Sequence, residues 1–488
     1  MLKKNLILIC SCLFAVSLQA TVRYVKPDGT VAEQAANAVS WTTACSDLQA
    51  VVNASAANDE IWVATGIYKP NRRANATETI TDNDRDNAFV FKKDVKIYGG
   101  FAGTETALTQ RNLSGEYSSV LSGDFNGDDS GSAGMNENAY HVVIFADNAG
   151  VACLDGFTVT GGNADGSGSI LVNSTTIYQC AGGGIHISSS SPTLTNVNVS
   201  GNNATCDGGG VYCGYSSSIL TNVNISRNIA SFGGGMQNYH STTVLTNVII
   251  SGNIVYQYGG GMSIDYSSPV LTNVCVSGNV AGRGGGGVYN WSSSPQVRNS
   301  IIWSNGIAST NVAIVGSPAP AYSYSLVQGS GGSNSWNNLL GIDNGNNIDA
   351  DPLFTGDLRL KENSPCIDAG NKSFFCQGED PELSNITTDL AGNPRIYGNE
   401  IDLGAYEFQG ATSIKIPSKG SKLLVYPNPT RGVLRIDSVD GKIDKIQLFD
   451  IHGKLIMQPT QPEFDMSVLP KGIYLLKVNS EMMKVVKI

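Results

Sequence analysis

The chain has 488 residues, enough for more than one domain and for a large buried core. Only 15% of residues are charged, Gly accounts for 56 positions, and the formal net charge is −10. An acidic chain with few Lys and Arg argues against nucleic acid or an anionic membrane as the partner. Abundant Gly, Ser, Asn and Thr would fit disorder, but the apolar residues recur at regular intervals, which is the mark of packed strands and turns.

The chain opens with Lys3 and Lys4, an apolar run from Leu6 to Leu18, and a small residue at Ala20. These are the three regions of a secretory signal peptide, 1–20, cleaved near Ala20. A retained anchor helix is the alternative, but the run is short for a membrane span. Loss of the leader takes the two lysines with it and leaves a net charge of −12. It also leaves Cys45, Cys153, Cys180, Cys206, Cys213, Cys275, Cys366 and Cys376. Export permits disulfides. Cys206 with Cys213 and Cys366 with Cys376 are near enough in sequence to pair, though sequence does not settle connectivity. No spacing of Cys and His suggests zinc.

A short helix is expected over Cys45–Ala54, placed to cover the start of a solenoid. Asp59–Tyr68, Val95–Phe101, His141–Phe145 and Leu154–Thr160 then read as irregular strand-bearing coils. Segments 70–88 and 103–140 read as loops off them.

The middle of the chain repeats. Glycine triplets begin at Gly182, Gly208, Gly233, Gly259 and Gly285. Thr195-Asn196, Thr221-Asn222, Thr246-Asn247, Thr272-Asn273 and the degenerate Arg298-Asn299 keep the same 25–26-residue rhythm, as do Asn202, Asn228, Asn253, Asn279 and Asn305. Three columns with one period mean stacked coils. Between the markers lie short β-branched segments such as Leu220–Ile225 and Leu271–Val276, punctuated by Gly and Asn, which tolerate positive φ. A parallel β-helix follows, each strand pairing with its equivalent one coil on, about 4.8 Å away. Leu194/Leu220/Leu245/Leu271/Val297 and Val199/Ile225/Ile250/Val276/Ile302 should face inward, and stacked Asn side chains should form a ladder. Ten coils would make a rod of roughly 50 Å. Beyond residue 330 the period fails, and 331–409 is expected to close the far end.

Two resemblances rest on particular motifs. Arg23–Pro27, Asp59–Ala64, Lys96–Glu105 and Leu154–Gly162 resemble bacterial exported β-helix proteins, and Ser364–Asn371, Asp389–Arg395 and Ile401–Glu407 resemble the segment called choice-of-anchor Q. The last residues, 423–488, resemble the C-terminal sorting domain of the type IX secretion system. The matching motif residues are Pro427, Asn428, Pro429, Gly432, Gly453, Gly472, Lys484 and Lys487. With 10 Lys and Arg against 7 Asp and Glu from residue 421, this tail also differs in charge from the rest. The resemblance implies an Ig-like sandwich that hands the protein to the secretion machinery, is removed, and leaves the cargo on outer-membrane lipopolysaccharide. An adhesive module that stays attached is the alternative. The fold class is therefore all-β: a right-handed, pectate-lyase-like parallel β-helix over 21–330 with clean coils at 182–306, the closing segment 331–409, a linker 410–422, and the small sandwich 423–488.

Such scaffolds often carry polysaccharide lyases or glycoside hydrolases. Hydrolases need paired carboxylates about 5–9.5 Å apart. The clean coils offer only Asp207, Arg227, Asp265 and Arg283, with Arg298 in the last, and these fall in different columns. Aromatic residues are the better lead. Tyr215, Tyr239, His240, Asp265, Tyr266 and Trp291 fall four and five positions after the glycine triplets, where exposed rings would stack on sugar rings or anchor a protein partner. No cofactor is required. Asp124, Asn126 and Asp128, and a second patch from Asp343 to Asp351, alternate oxygen donors as a Ca²⁺ loop does, and equally suit solvated turns. A surface-displayed, adhesin-like binding protein is thus the first reading, and a polysaccharide-degrading enzyme the second.

Overall fold

The computed structural model describes residues 20–91, 94–113, 118–130, 134–147, 152–306 and 311–410, and in the C-terminal stretch 423–426, 428, 430–438, 443, 445–450, 454–479 and 481–487. The leader before Ala20, nearly all of the linker, and Pro427, Pro429 and Gly453 lie outside the described residues. The chain forms two compact units, Met1–Phe408 and Gln409–Ile488.

The first unit is a coil of short strands. A representative turn runs Ile185–Ser188, Thr193–Thr195, Asn198–Ser200, Asn203–Ala204. Each strand pairs in parallel with its equivalent one coil on, giving sheet I (eleven strands, from Val22–Thr30 to Ile342–Asp343), sheet II (nine, from Gly66–Tyr68 to Leu326–Val327), sheet III (eight, from Phe89–Phe91 to Val312–Val315) and sheet IV (five two- to five-residue strands). Sheet I aligns Leu194, Leu220, Leu245, Leu271 and Val297, and sheet II aligns Val199, Ile225, Ile250, Val276 and Ile302. All ten are buried in one continuous core. A single coil cannot enclose this apolar face; the stack can.

Two kinds of residue make the corners. Asn196, Asn222, Asn247, Asn273 and Asn299 all take φ between 49° and 56°, a left-handed conformation Asn accepts more readily than most residues. In the second corner Asn202, Asn228, Asn253, Asn279 and Asn305 are buried and joined amide to amide at 2.9–3.1 Å. Each of these Oδ1 atoms also accepts the backbone N–H of the preceding Asn column member. The polar corner is thereby satisfied inside the core, where an unpaired amide would cost about 1–3 kcal/mol. The glycine triplets answer to close approach: a Cβ on Gly209 would sit 2.3 Å from the Ile229 carbonyl oxygen.

The helix runs Leu48–Ala54, capped by Asp47, whose side chain accepts from the Ala50 N–H at 2.9 Å. Its Leu48, Val51 and Val52 join the core. Segment 103–140 holds more than a loop: Ser119–Ser122 is a sheet II strand between Gly66–Tyr68 and Phe157–Thr160. The disulfide joins Cys180 to Cys206 on consecutive coils, with Cα atoms 5.2 Å apart. Neither of the sequence-adjacent pairs forms. Cys213 points into the core, and Cys366 is buried while Cys376 is exposed.

The stretch 331–409 divides between two roles. Trp336 and Leu340 pack near Tyr322 at the last coils. Residues 353–408 then return along the outside of sheet II. There Phe354, Leu360, Cys366, Leu403 and Ala405 cover the outward Ile249, Cys275, Ile301 and Leu326. This strap is fastened to the corner asparagines: Asn247 Nδ2 donates to the Thr388 carbonyl (2.8 Å), Asn273 Nδ2 to those of Asp402 and Gly404 (2.8 and 3.0 Å), and Asn299 Nδ2 to that of Asn371 (3.1 Å). Arg395 closes it, donating to Asn247 Oδ1 at 3.1 Å and pairing with Glu407 at 2.7 Å, both side chains fully buried. The motif residues Asp389, Arg395, Asp402 and Glu407 therefore hold the strap's polar centre, with Asp389 Oδ2 accepting the Glu407 N–H at 2.9 Å.

The described residues of the second unit form two antiparallel sheets, Leu423–Tyr426/Val433–Ser438/Glu463–Asp465 and Leu455–Met457/Ile446–Phe449/Gly472–Val478/Glu481–Lys487. Leu434, Ile436, Leu448, Leu476, Val478 and Val485 fill its core. The motif residues tie its beginning to its last strand. Asn428 Nδ2 donates to the Lys484 carbonyl (2.7 Å), its Oδ1 accepts the Val486 N–H (2.9 Å), and Lys487 Nζ donates to the Arg431 carbonyl (2.6 Å). The Gly432 carbonyl accepts the Met466 N–H, and Gly472 opens the strand that pairs with the last one.

Candidate ligand-binding face

The chain leaves sheet III for sheet I through a corner that again needs a left-handed residue. Ser189, Tyr215, His240, Tyr266 and Ser292 occupy it at φ 45–51°. Tyr is poorly suited to that conformation, whose cost for a bulky residue is about 1–3 kcal/mol, whereas His enters it more readily. Their rings lie one per coil and face each other. Tyr215 and His240 are 5.2 Å apart and 5° from parallel, and His240 and Tyr266 are 5.1 Å apart and 9° from parallel. Trp291 continues the row 6.0 Å from Tyr266, and Tyr239 stands edge-on to His240 at 4.5 Å. Tyr215, Tyr266 and Trp291 are 60%, 48% and 43% exposed. The structure thus brings together all five aromatic candidates. Asp265 occupies the strand column of Tyr239 and Trp291, half-buried, accepting from Gln237 Nε2 (2.7 Å) and Ser263 Oγ (3.1 Å).

Beside this row runs the outward column of sheet III: Val90, Ile144, His186, Tyr212, Gln237, Ser263 and Tyr289. Its first members are roofed by the hairpin Ser169–Val172/Thr175–Tyr178, whose Val172 and Ile177 pack on Val90 and Ile144. His141 and His186 are buried there, ring centroids 5.2 Å apart, and burial pushes them down to about 4 and about 3. From Tyr212 onward the column is flanked by Tyr258, whose ring lies 4.7 Å from that of Tyr289. Asp207, read from sequence as unrelated to Asp265, faces it electrostatically. Burial pushes Asp207 up to about 6, with Asp265 adding to the rise. Their separation of 58 positions hides this, because they lie two coils apart.

Asp124 and Asp128 come together, joined by Asp129, with carboxylate oxygens within 4.8 Å; Asn126 is exposed on the same turn. Burial, then the charges of Asp124, Glu137 and Asp128, raise Asp129 against a hydrogen bond from Asn138. Asp124 already accepts the Gly127 and Asp129 N–H groups, as a turn-forming Asp does. The second patch is spent on its own loop: Asp343 Oδ1 accepts from Ser333, Gly345 and Asn347, and Asp349 from Gly329 and Gly331.

Residues 142–311 match the family model described as a right handed beta helix region, and residues 424–488 match that of the secretion system C-terminal sorting domain. Residues 424–488 are a type IX sorting domain. The chain is accordingly a right-handed β-helix protein exported by the type IX machinery to the cell surface or the extracellular space. In the sorting domain, the bonds of Asn428 and Lys487 give two motif residues a plain role in closing the sandwich. Among solved structures, the crystal structure of pectate lyase Pel9A is similar over 80% of this chain and 97% of that one, at 14% identity and a TM-score of 0.39. A likeness that slight says nothing about activity. No curated protein matches the chain.

Proposed function

We propose that the β-helix unit is a surface-displayed binding protein, and that the row Tyr215, Tyr239, His240, Tyr266 and Trp291 receives a glycan. The observation that supports this reading is the placement of stacked, exposed rings in a corner whose conformation disfavours them. Rings so arranged offer flat apolar faces at the coil spacing, with polar edges for hydroxyls. A partner protein anchored by the same rings is the other ligand class that suits them. On this reading the leader is cut near Ala20, the sorting domain is removed after export, and the β-helix stays on outer-membrane lipopolysaccharide. A glycan array probed with the purified secreted protein tests the binding. Retention on at least one glycan, lost in the Tyr266→Ala/Trp291→Ala double variant, is the expected result; equal retention by the variant would sink the assignment. Deleting 423–488 should trap the protein in the periplasm.

A second reading is favoured by Asp207. A carboxyl raised to about 6 by burial, with the charge of Asp265 adding to the rise and Asp265 itself raised by burial, is the kind of group that can donate a proton near neutral pH. On that reading Asp207 is the acid and Asp265 the base or nucleophile of a glycoside hydrolase. Release of reducing ends from any polysaccharide, abolished in Asp207→Asn, would establish it and displace the first reading.

A further inference from the structure

The outward face of sheet II changes character along the stack. Its column reads Thr158, Asn198, Asn224, Ile249, Cys275, Ile301 and Leu326. The strap covers the four apolar members and stops at the two asparagines. Where it stops there is a cleft of about 410 Å³, lined by Asn196, Asn198, Asn222 and Asn224 on one side, with Leu113 and the strap's Leu390 and Tyr406 as walls. That volume lies within the range of small-molecule sites.

The strap does not need these asparagines. Its corner bonds go to Asn247, Asn273 and Asn299. The cleft's four amides bond to one another, Asn222 to Asn196 at 3.3 Å and Asn224 to Asn198 at 3.1 Å, while Asn222 Oδ1 accepts from Asn247 Nδ2 at 3.0 Å and Asn198 Nδ2 reaches Ser200 Oγ at 3.5 Å. Asn196 also reaches Asp155 Oδ1 at 2.8 Å. Each amide can donate twice and accept twice, so these bonds leave donors and acceptors in both columns for a ligand. Among the described residues, none that lines the cleft is charged. Near it, Arg111 pairs with Asp155 at 2.6 Å and Arg359 with Asp357 at 2.8 Å, and Arg359 lies over the Tyr406 ring at 4.3 Å. Paired rows of neutral amides between apolar walls suit a ligand that is itself neutral, bears several hydroxyls and has an apolar face.

We propose that this cleft binds a neutral sugar unit, at a site separate from the aromatic row. The inference stands whether or not that row binds a glycan. The amides of adjacent coils, about 4.8 Å apart, receive hydroxyls of one face of the ring, and Leu390 and Tyr406 receive its C–H face.

The test is saturation-transfer NMR on the secreted protein with N-acetylglucosamine, cellotetraose and mannotetraose as probes. Three forms are compared: the natural chain, Ala391→Trp and Tyr266→Ala/Trp291→Ala. Ala391 is exposed at the rim and contributes only its backbone N–H, to Asp389 Oδ1 at 2.9 Å, so a Trp there enters the cleft without removing a hydrogen-bonding side chain. At least one probe should bind, weakened tenfold or more by Ala391→Trp and unchanged by the aromatic variant. Binding lost only in the aromatic variant overturns the cleft and supports the other site. Binding of no probe, or binding indifferent to Ala391→Trp, overturns the proposal outright. Asn224→Leu removes amide groups instead of filling space; it must weaken binding as well, and unaltered binding there counts equally against the site.

Discussion

Two columns of left-handed corner residues run the length of the same coil, and they are built from opposite chemistry. Between sheets I and II the corner is Asn at every clean coil, and its later members lie under the strap, where their amides hold Thr388, Asp402, Gly404 and Asn371. Between sheets III and I it is Ser, Tyr, His, Tyr, Ser, with the rings exposed. The first column chooses residues that the conformation favours and uses their side chains to bind the protein to itself. The second sets rings in a conformation that costs them energy and joins them to nothing but each other. Residues placed against local preference are where function is to be sought. The Asn corner is scaffold, and the aromatic corner is the face turned outward.

The largest expected effect breaks the scaffold corner. In Arg395→Met the buried Glu407 loses its cationic partner and Asn247 loses a donor, at a cost of about 3–5 kcal/mol. Thermal unfolding should fall accordingly, and limited proteolysis should cut first within 353–408. Asn273→Tyr should cost at least as much, since a ring there must displace the strap from a fully buried site. If either variant melts like the natural chain, the strap is not fastened where its hydrogen bonds place it.

The next effect reads the roofed end of sheet III. His141 and His186 are held neutral by burial, titrating at about 4 and about 3 against about 6.5 in an unfolded chain. Below pH 6.5 the unfolded state binds protons that the folded state refuses, so stability falls as pH drops from 6.5 toward 4. At pH 5.5 the pair should contribute a loss of about 3 kcal/mol relative to pH 7.5. A His141→Gln/His186→Gln variant should flatten that part of the stability profile; an unchanged slope would show that the histidines are not shielded.

The coils were legible because each column repeats at one spacing, so apolar, Asn and Gly positions confirm one another. The strap was not, since it has no period of its own. Its trace is on the rod, where the outward column turns from Asn198 and Asn224 to Ile249, Cys275 and Ile301. An apolar stretch on an outward face must be covered. The Cys180–Cys206 disulfide also left a sign that simple nearness missed: the two are 26 positions apart, one coil period, which stacks their Cα atoms. Asp207 and Asp265 belong to different columns and influence each other electrostatically only because the chain coils, which no one-dimensional pattern records.

The smallest effect on stability separates the two corners most sharply. Tyr266→Asn puts the scaffold corner's residue into the aromatic one. Asn relieves part of the left-handed strain, while the lost stacking on His240 and Trp291 costs about 0.5–1.5 kcal/mol per ring pair. These contributions oppose each other, so the melting temperature should move by no more than about 1 kcal/mol of stability allows, roughly 1–2 °C in a unit of this size. Glycan retention on the array should nevertheless fall tenfold or more, since the ring and its flat face are gone. A variant that loses stability and keeps its ligand would reverse the assignment: the rings would then be packing that shields the strand ends, and the binding face would have to be sought at the Asn-lined cleft.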